Sequence, residues 1–399
     1  MQAIKGKAAE KAYIRSMDSR PKSSIYLEDA AYLSNPARFS LMLKPVGALC
    51  NLGCSYCYYS ATAEYGHQKM MSLDVLEKAI QSFAAATEAS ELHFLWHGGE
   101  PLLIGLDFYM KAVELQRRYA GGKPVYNSIQ TNGTLLTREW AAFFRDNRFL
   151  VGLSIDGPRH VHDHFRLFRS GAPSFDRVLD GFKMLQDAGA QVNTLSTVNR
   201  ASEGRGAEVY DFLKSIGSHY MQFLPVMESG SAAAMSVSAE AFGRFMTEIF
   251  DIWVRIDVGR YFIQLFDAAL AAWCGLPPGL CTLGRRCEGT MVIEHNGDVY
   301  ACDHVVSPVG RLGNIMETPL KELVVKEEVE RFAARKMASL PKACLACQWL
   351  PACNGECPQH RSVSSGENGL CAGYRYFFEH AAPALDRMHD LIAAGKPLC

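Results

Sequence analysis

The chain has 399 residues, 48% hydrophobic and 21% charged, with a formal net charge of -1; that is the balance of a soluble globular protein with a large core, with nothing that calls for nucleic acid or an acidic membrane surface as partner. No apolar run approaches the ~18 residues of a membrane span, and the N-terminal Met1-Gln-Ala-Ile-Lys-Gly-Lys has no apolar export segment, so a cytoplasmic location is expected.

Residues 1–36 show little periodicity and read as an N-terminal extension. Over 37–235 short apolar runs alternate with amphipathic stretches. The pattern predicts strands at 39–43, 92–96, 125–130, 150–155, 192–198 and 220–224, with helices at 73–86, 108–119, 138–147, 175–188 and 207–216. Strand–helix alternation of this kind predicts an α/β fold, a partial TIM-like (β/α)6 barrel with parallel strands and outer helices. Chemistry in such folds sits at the C-terminal ends of the strands. Residues 236–273 read as a helical linker, with a long helix at 239–254. From 274 the chain is cysteine-rich, and runs at 291–294 and 298–301 flank His295-Asn296-Gly297, a hairpin pattern. The remainder to about 371 reads as loops held by metal. A closing helix is expected at 375–395, with the cysteine-rich domain spanning 274–385 and a tail at 386–399.

Thirteen cysteines in a reducing compartment argue for metal or redox chemistry rather than disulfides. Eleven form two groups: Cys50, Cys54 and Cys57, then Cys281, Cys287, Cys302, Cys344, Cys347, Cys353, Cys357 and Cys371. Iron–sulfur clusters are usually held by four thiolates each. Eight complete two clusters, whereas three leave one iron open to chemistry. The competing reading is zinc, which wants four ligands and paired knuckles. The first group lacks that spacing, while Cys344-x2-Cys347 has it. Cys274 and Cys399 are left over as spare thiols. Gly98-Gly99-Glu100-Pro101, at the end of the second strand, allows a backbone to approach a ligand closely. His160, His162 and His164 read as structural or solvent-facing.

The Cys50-x3-Cys54-x2-Cys57 loop, with Tyr56 before its last cysteine, and the Gly98-Gly99-Glu100-Pro101 motif resemble the radical S-adenosylmethionine (SAM) enzymes. The later cysteines resemble their SPASM extension, which binds two auxiliary clusters. The resemblance implies three [4Fe-4S] clusters and SAM as cofactors. SAM is chelated at the open iron and cleaved by one electron to a 5'-deoxyadenosyl radical. Carried over residue by residue, Tyr56, Gly98, Gly99, Glu100, Ser154 and Arg166 become the SAM contacts. Cys281, Cys287, Cys302 and Cys357 would hold the nearer auxiliary cluster, and Cys344, Cys347, Cys353 and Cys371 the outer one. Within that group the chain is similar to the anaerobic sulfatase-maturating enzymes, through Leu43-Lys44-Pro45, Gln130-Thr131-Asn132-Gly133, the block from Glu294 to Asp303, and Arg311-Leu312-Gly313-Asn314-Ile315. That family oxidises a Cys or Ser side chain of a sulfatase to Cα-formylglycine. It implies an unfolded or nascent sulfatase polypeptide as partner, with a Cys/Ser-x-Pro/Ala-x-Arg type motif, and reduced flavodoxin or ferredoxin as electron donor. Asp303 takes the place of the catalytic base, and burial beside a cluster is expected to raise its pKa. His97 stands where the family commonly has Gln; both hydrogen-bond, in different geometry. The rival reading is a SPASM maturase forming thioether or carbon–carbon crosslinks in a precursor peptide. Such enzymes often carry a separate recognition domain, for which residues 1–36 look too short.

Overall fold

The computed structural model describes residues 38–60, 69–227, 230–287 and 289–398; the expectations for residues 1–36 and for Cys399 lie outside them. Six strands, β1 (Ser40–Lys44), β2 (Leu92–Trp96), β3 (Val125–Thr131), β4 (Leu150–Ser154), β5 (Gln191–Val198) and β6 (Tyr220–Pro225), lie side by side in chain order, and each neighbouring pair is parallel. Helices α1 (Leu73–Ala86), α2 (Leu106–Tyr119), α3 (Arg138–Asp146), α4 (Arg159–Phe165), α5 (Phe175–Ala188) and α6 (Gly206–Ser215) connect them. Local chemistry sets their ends. The Ser72 hydroxyl accepts from the Val75 N–H at the start of α1, Thr137 caps α3 in the same way, and α5 stops at Gly189 in the left-handed region. The apolar stripe of α1 (Val75, Leu76, Ala79, Ile80, Phe83) is buried in one core cluster with Leu41, Leu43, Phe94 and Trp96. Helix α4 lies outside the expected set, because seven residues with only Val161 and His162 buried carry too little periodicity.

The barrel does not close on itself. The free edge of β6 pairs with β7 (Phe262–Ile263), and that of β1 pairs in parallel with β8 (Thr290–Glu294). β9 (Asp298–Tyr300) returns antiparallel across the expected turn, and β10 (Gly313–Asn314) completes a ten-stranded sheet. The hairpin is therefore an extension of the barrel sheet. Alternation along β1 sends Leu41 and Leu43 to the main core, while Met42 joins Val292 and Tyr300 in a second, smaller one. Lys44 shares the Met42 side of the strand by the same period.

Helices α7 (Ala239–Ile256) and α8 (Gln264–Trp273) fill the linker region. The stretch read as loops instead contains α9 (Leu320–Leu323), α10 (Glu327–Ala338), α11 (Lys342–Leu345) and α12 (Leu350–Cys353). Helix α10 escaped detection because it buries only Ala333 and Lys336; its charges, acidic in the first turn and Arg335 and Lys336 in the last, were the remaining signal. The closing helix α13 (Cys371–Ala393) begins four residues earlier than expected and runs past residue 385 without a break. It crosses α7 at a glycine pair: a Cβ on Gly243 would lie 2.8 Å from the Gly373 Cα, and one on Gly373 would lie 2.1 Å from the Ala239 carbonyl oxygen.

Candidate functional site

The first cysteine loop leaves β1 and is strapped to the loop after β2. The Gly99 N–H donates to the Gly47 carbonyl at 2.7 Å, and the Glu100 N–H to that of Leu49 at 2.8 Å. Gly98 has φ +121, and a Cβ on Gly99 would come within 2.0 Å of the Leu49 oxygen. Both glycines are thus needed for the protein's own backbone, which leads directly to Cys50. Glu100 is fully buried; its carboxylate accepts from the Leu102 N–H (3.0 Å), the Thr131 hydroxyl (2.7 Å) and the Asn132 N–H (2.7 Å). Burial pushes it up to about 7, against those hydrogen bonds. Its position ties β2 to β3. Asn132 in turn donates to Asn51 (2.8 Å) and to the Cys50 sulfur (3.7 Å), which also receives the Leu52 N–H (3.4 Å). Arg169 donates to the Cys50 carbonyl at 2.7 Å. Neither Asn132 nor Arg169 was singled out from sequence as a support of this loop.

Burial pushes the Cys50 thiol up to about 12 and the Cys54 thiol to about 11. A buried, N–H-solvated sulfur of that kind becomes a thiolate when a cation binds it. The loop fits a cluster on these terms.

Tyr56 is buried and donates to Asp156 at 2.6 Å. Arg166 lies over the Tyr56 ring and pairs with the other Asp156 oxygen at 3.0 Å. The same carboxylate accepts from the Thr197 N–H (2.9 Å) and hydroxyl (2.8 Å). Asp156 is therefore the hub that holds Tyr56 and Arg166, and sequence reasoning did not assign it a site role; its place at the end of β4 was the available signal. Ser154 accepts from the Gln130 amide at 3.0 Å. His162, buried between the Asp156 N–H and the Ser174 hydroxyl, is held neutral, burial bringing it down to about 4. His160 pairs with Glu208 and His164 packs on Phe165, so the three histidines do not converge.

Asp303 lies at the meeting of the two cysteine groups. Its carboxylate accepts from Tyr58, the residue after Cys57, at 2.6 Å and stands 3.7 Å from the Lys44 ammonium. Lys44 is fully buried, 3.1 Å from His97 Nδ1 and 4.0 Å from the centre of the Tyr59 ring. Tyr59 is hydrogen-bonded to Glu294 at the end of β8, and Tyr58 stacks on His304. The expectation of a raised pKa at Asp303 is overturned. Burial does push it upward, but the Lys44 ammonium, His304, His97 and the Tyr58 hydrogen bond outweigh it and hold the carboxyl well below its usual range.

The eight later cysteines separate into two groups of four. Cys281, Cys287, Cys302 and Cys357 lie within electrostatic reach of one another, beside the buried Lys336, which donates to the Cys281 and Thr282 carbonyls. Cys344, Cys347, Cys353 and Cys371 line a cavity of about 450 Å³. The resemblance implies the same two sets as cluster ligands. Among the described residues no three His, Cys, Asp or Glu side chains close on one metal ion.

A model of the radical SAM superfamily matches residues 45–203, and one of an iron–sulfur cluster-binding domain, SPASM, matches residues 281–348. The chain is 44% identical to a serine-type anaerobic sulfatase-maturating enzyme of Bacteroides thetaiotaomicron, over 87% of this chain and 90% of the relative. To a cysteine-type enzyme of Clostridium novyi it is 30% identical, over 85% and 94%. A solved structure of native anSMEcpe with bound AdoMet and the Cp18Cys peptide superposes with a TM-score of 0.81 at 31% identity, covering 88% of this chain and 99% of the other.

Proposed function

The chain belongs to the anaerobic sulfatase-maturating enzymes of the radical SAM superfamily, and we propose that Asp303 is its catalytic base, placed between a SAM-binding cluster and two electron-accepting ones. The enzyme oxidises a Cys or Ser side chain of a sulfatase to Cα-formylglycine, with SAM and iron–sulfur clusters as cofactors. The observation that carries the assignment of Asp303 is its double link: bonded along the chain to Cys302 and hydrogen-bonded to Tyr58, the neighbour of Cys57.

In this reading Cys50, Cys54 and Cys57 hold the open cluster, Cys281, Cys287, Cys302 and Cys357 the inner auxiliary cluster, and Cys344, Cys347, Cys353 and Cys371 the outer one, three in all. Bound SAM supplies the radical that removes hydrogen from the substrate Cβ. Arg166 and Tyr56, set by Asp156, and the Gly98-Gly99 loop, set by Glu100, line the SAM position together with Ser154. Asp303, held ionised beside Lys44, would take the proton released from the substrate hydroxyl or thiol while the remaining electron passes to an auxiliary cluster; a thiol substrate would give a thioaldehyde, which water hydrolyses to the aldehyde with release of sulfide. Lys44 fixes where that carboxylate points. The higher identity to the serine-type relative supports a serine substrate, delivered as an unfolded sulfatase segment in the cytoplasm, with reduced flavodoxin or ferredoxin as electron donor.

Incubation of the anaerobically reconstituted enzyme with SAM, a reductant and sulfatase peptides carrying Ser or Cys at the target position tests this. Formylglycine is expected from the serine peptide, read by mass as loss of two hydrogens. A crosslinked or unchanged peptide in both cases refutes the reading.

A further inference from the structure

Helix α10 turns a lysine inward: Lys336 has no exposed surface. Helices ordinarily keep lysine in water, because a buried ammonium costs several kcal/mol unless anions surround it. Two of its N–H groups donate to the backbone carbonyls of Cys281 (2.9 Å) and Thr282 (2.6 Å), which are neutral acceptors and do not cancel its charge. Among the described residues its third N–H has no protein acceptor and no carboxylate forms an ion pair with it. One turn earlier the Ala333 carbonyl accepts from the Cys287 N–H (3.1 Å). The Lys336 carbonyl accepts from Arg361 (2.9 Å), in the segment after Cys357. The buried face of α10 is thus laid on the stretch from Cys281 to Cys287, with the chain beyond Cys357 tied to it. The anionic groups within electrostatic reach of the ammonium are Cys287, Glu356, Cys281 and Cys357, and three of these four are thiols of one set. Around Cys281, Lys336 is the strongest charged neighbour, ahead of Asp303 and Glu356. The cations that reach Cys344 and Cys371 of the outer set, Arg361 and Arg375, are half-buried and exposed, and Glu367 opposes them.

We propose that Lys336 is the counter-ion of the inner auxiliary cluster, its charge holding the cluster in place and favouring its reduced form. This rests on the assignment of Cys281, Cys287, Cys302 and Cys357 as ligands of one cluster. A four-iron core on four thiolates is an anion and gains one more negative charge on reduction, so a fixed cation beside it stabilises the reduced state more than the oxidised one. In the oxidative step the O–H or S–H bond of the substrate radical breaks and a C–O or C–S double bond forms. The proton goes to Asp303 and one electron to the cluster; Lys336 makes that acceptance more favourable.

Redox titration of the anaerobically reconstituted full chain, followed by electron paramagnetic resonance, tests it. Lys336→Gln keeps an N–H donor for the two carbonyls and removes the charge; Lys336→Arg keeps the charge. The inner cluster is identified as the signal that SAM does not alter and Cys371→Ala does not remove. In Lys336→Gln the reduced-to-oxidised ratio of that signal at a given potential is expected to fall about ten-fold, a midpoint lower by about 59 mV for one electron. The outer cluster is expected to move far less, and Lys336→Arg to stay near wild type. Loss of the inner cluster's irons from Lys336→Gln with retention in Lys336→Arg also supports the counter-ion role. An unmoved inner midpoint, an equal shift of both auxiliary clusters, or loss of the irons from both variants overturns the proposal. If the unaltered enzyme shows no auxiliary signal, the cluster reading itself fails; if it shows both signals and neither responds to Lys336, only the role of Lys336 fails.

Discussion

Burying an ammonium without partners costs several kcal/mol, yet Lys44 has no exposed surface. It is offset by the Asp303 carboxylate, the His97 lone pair and the Tyr59 ring. Because Lys44 is what holds the Asp303 carboxyl low, Lys44→Met is expected to let that pKa rise. The sign is definite. Losing the cation disfavours the ionised form, so the carboxyl protonates at higher pH than before, and the rate of aldehyde formation gains an acid limb that wild type lacks. A pH–rate profile of the two enzymes checks this, and superimposable acid sides would remove Lys44 from the account. Asp303→Asn is expected to leave SAM cleavage intact while lowering formylglycine yield by at least ~100-fold, the weight of a positioned base; 5'-deoxyadenosine and product measured in one reaction separate the two steps. The place of Asp303 was legible in sequence from its neighbour Cys302, but the direction of its shift was not, because Lys44 arrives from a different strand.

Strand order and nearly every barrel helix were legible in the alternation of apolar runs, since β1–β6 are short buried runs and their helices, α4 apart, each bury a periodic face. Illegible were elements whose order comes from neighbours rather than period. β7 is two residues long and exists as an edge on β6. β8 looked like half of a free hairpin, and only its pairing with β1 shows why Met291, Val292, Ile293 and Glu294 are all buried. The loop after β2 shows how close the packing is. Gly99→Ala places a methyl 2.0 Å from the Leu49 oxygen, and backbone cannot yield as a side-chain tip would. The expected result is displacement of the segment leading to Cys50, seen as weaker SAM binding and loss of iron from the first cluster, with the auxiliary clusters retained. Gly373→Ala acts elsewhere, forcing α13 off α7 at an expected cost of about 1–3 kcal/mol; thermal denaturation measures it, and an unchanged midpoint would mean the helices part freely.

At the scale of the molecule the cysteine count carries furthest. Three thiols in one loop and eight in two groups of four predict about twelve irons after anaerobic reconstitution, four for each cluster. Each group of four joins distant parts of the chain: Cys357 reaches back to Cys281, Cys287 and Cys302, and Cys371, the first residue of α13, joins Cys344, Cys347 and Cys353. Few apolar side chains stand behind α10 and α11: α10 buries one alanine and one lysine, and α11 none. Their order therefore depends on metal–ligand bonds, whereas β1–β6 rest on a continuous apolar core. Removal of iron by a chelator is accordingly expected to expose residues 327–371 to protease while the barrel, with β8–β10 paired to it, stays resistant. Cys371→Ala, which leaves the other seven later cysteines in place, is expected to lose about four irons and to open the 344–371 segment first. Cleavage sites mapped by mass distinguish the cases. If the barrel is cut as early as the cysteine-rich part, cluster assembly is coupled to folding of the whole chain. If neither is cut, packing alone holds the C-terminal part and the thiolates add chemistry without adding stability.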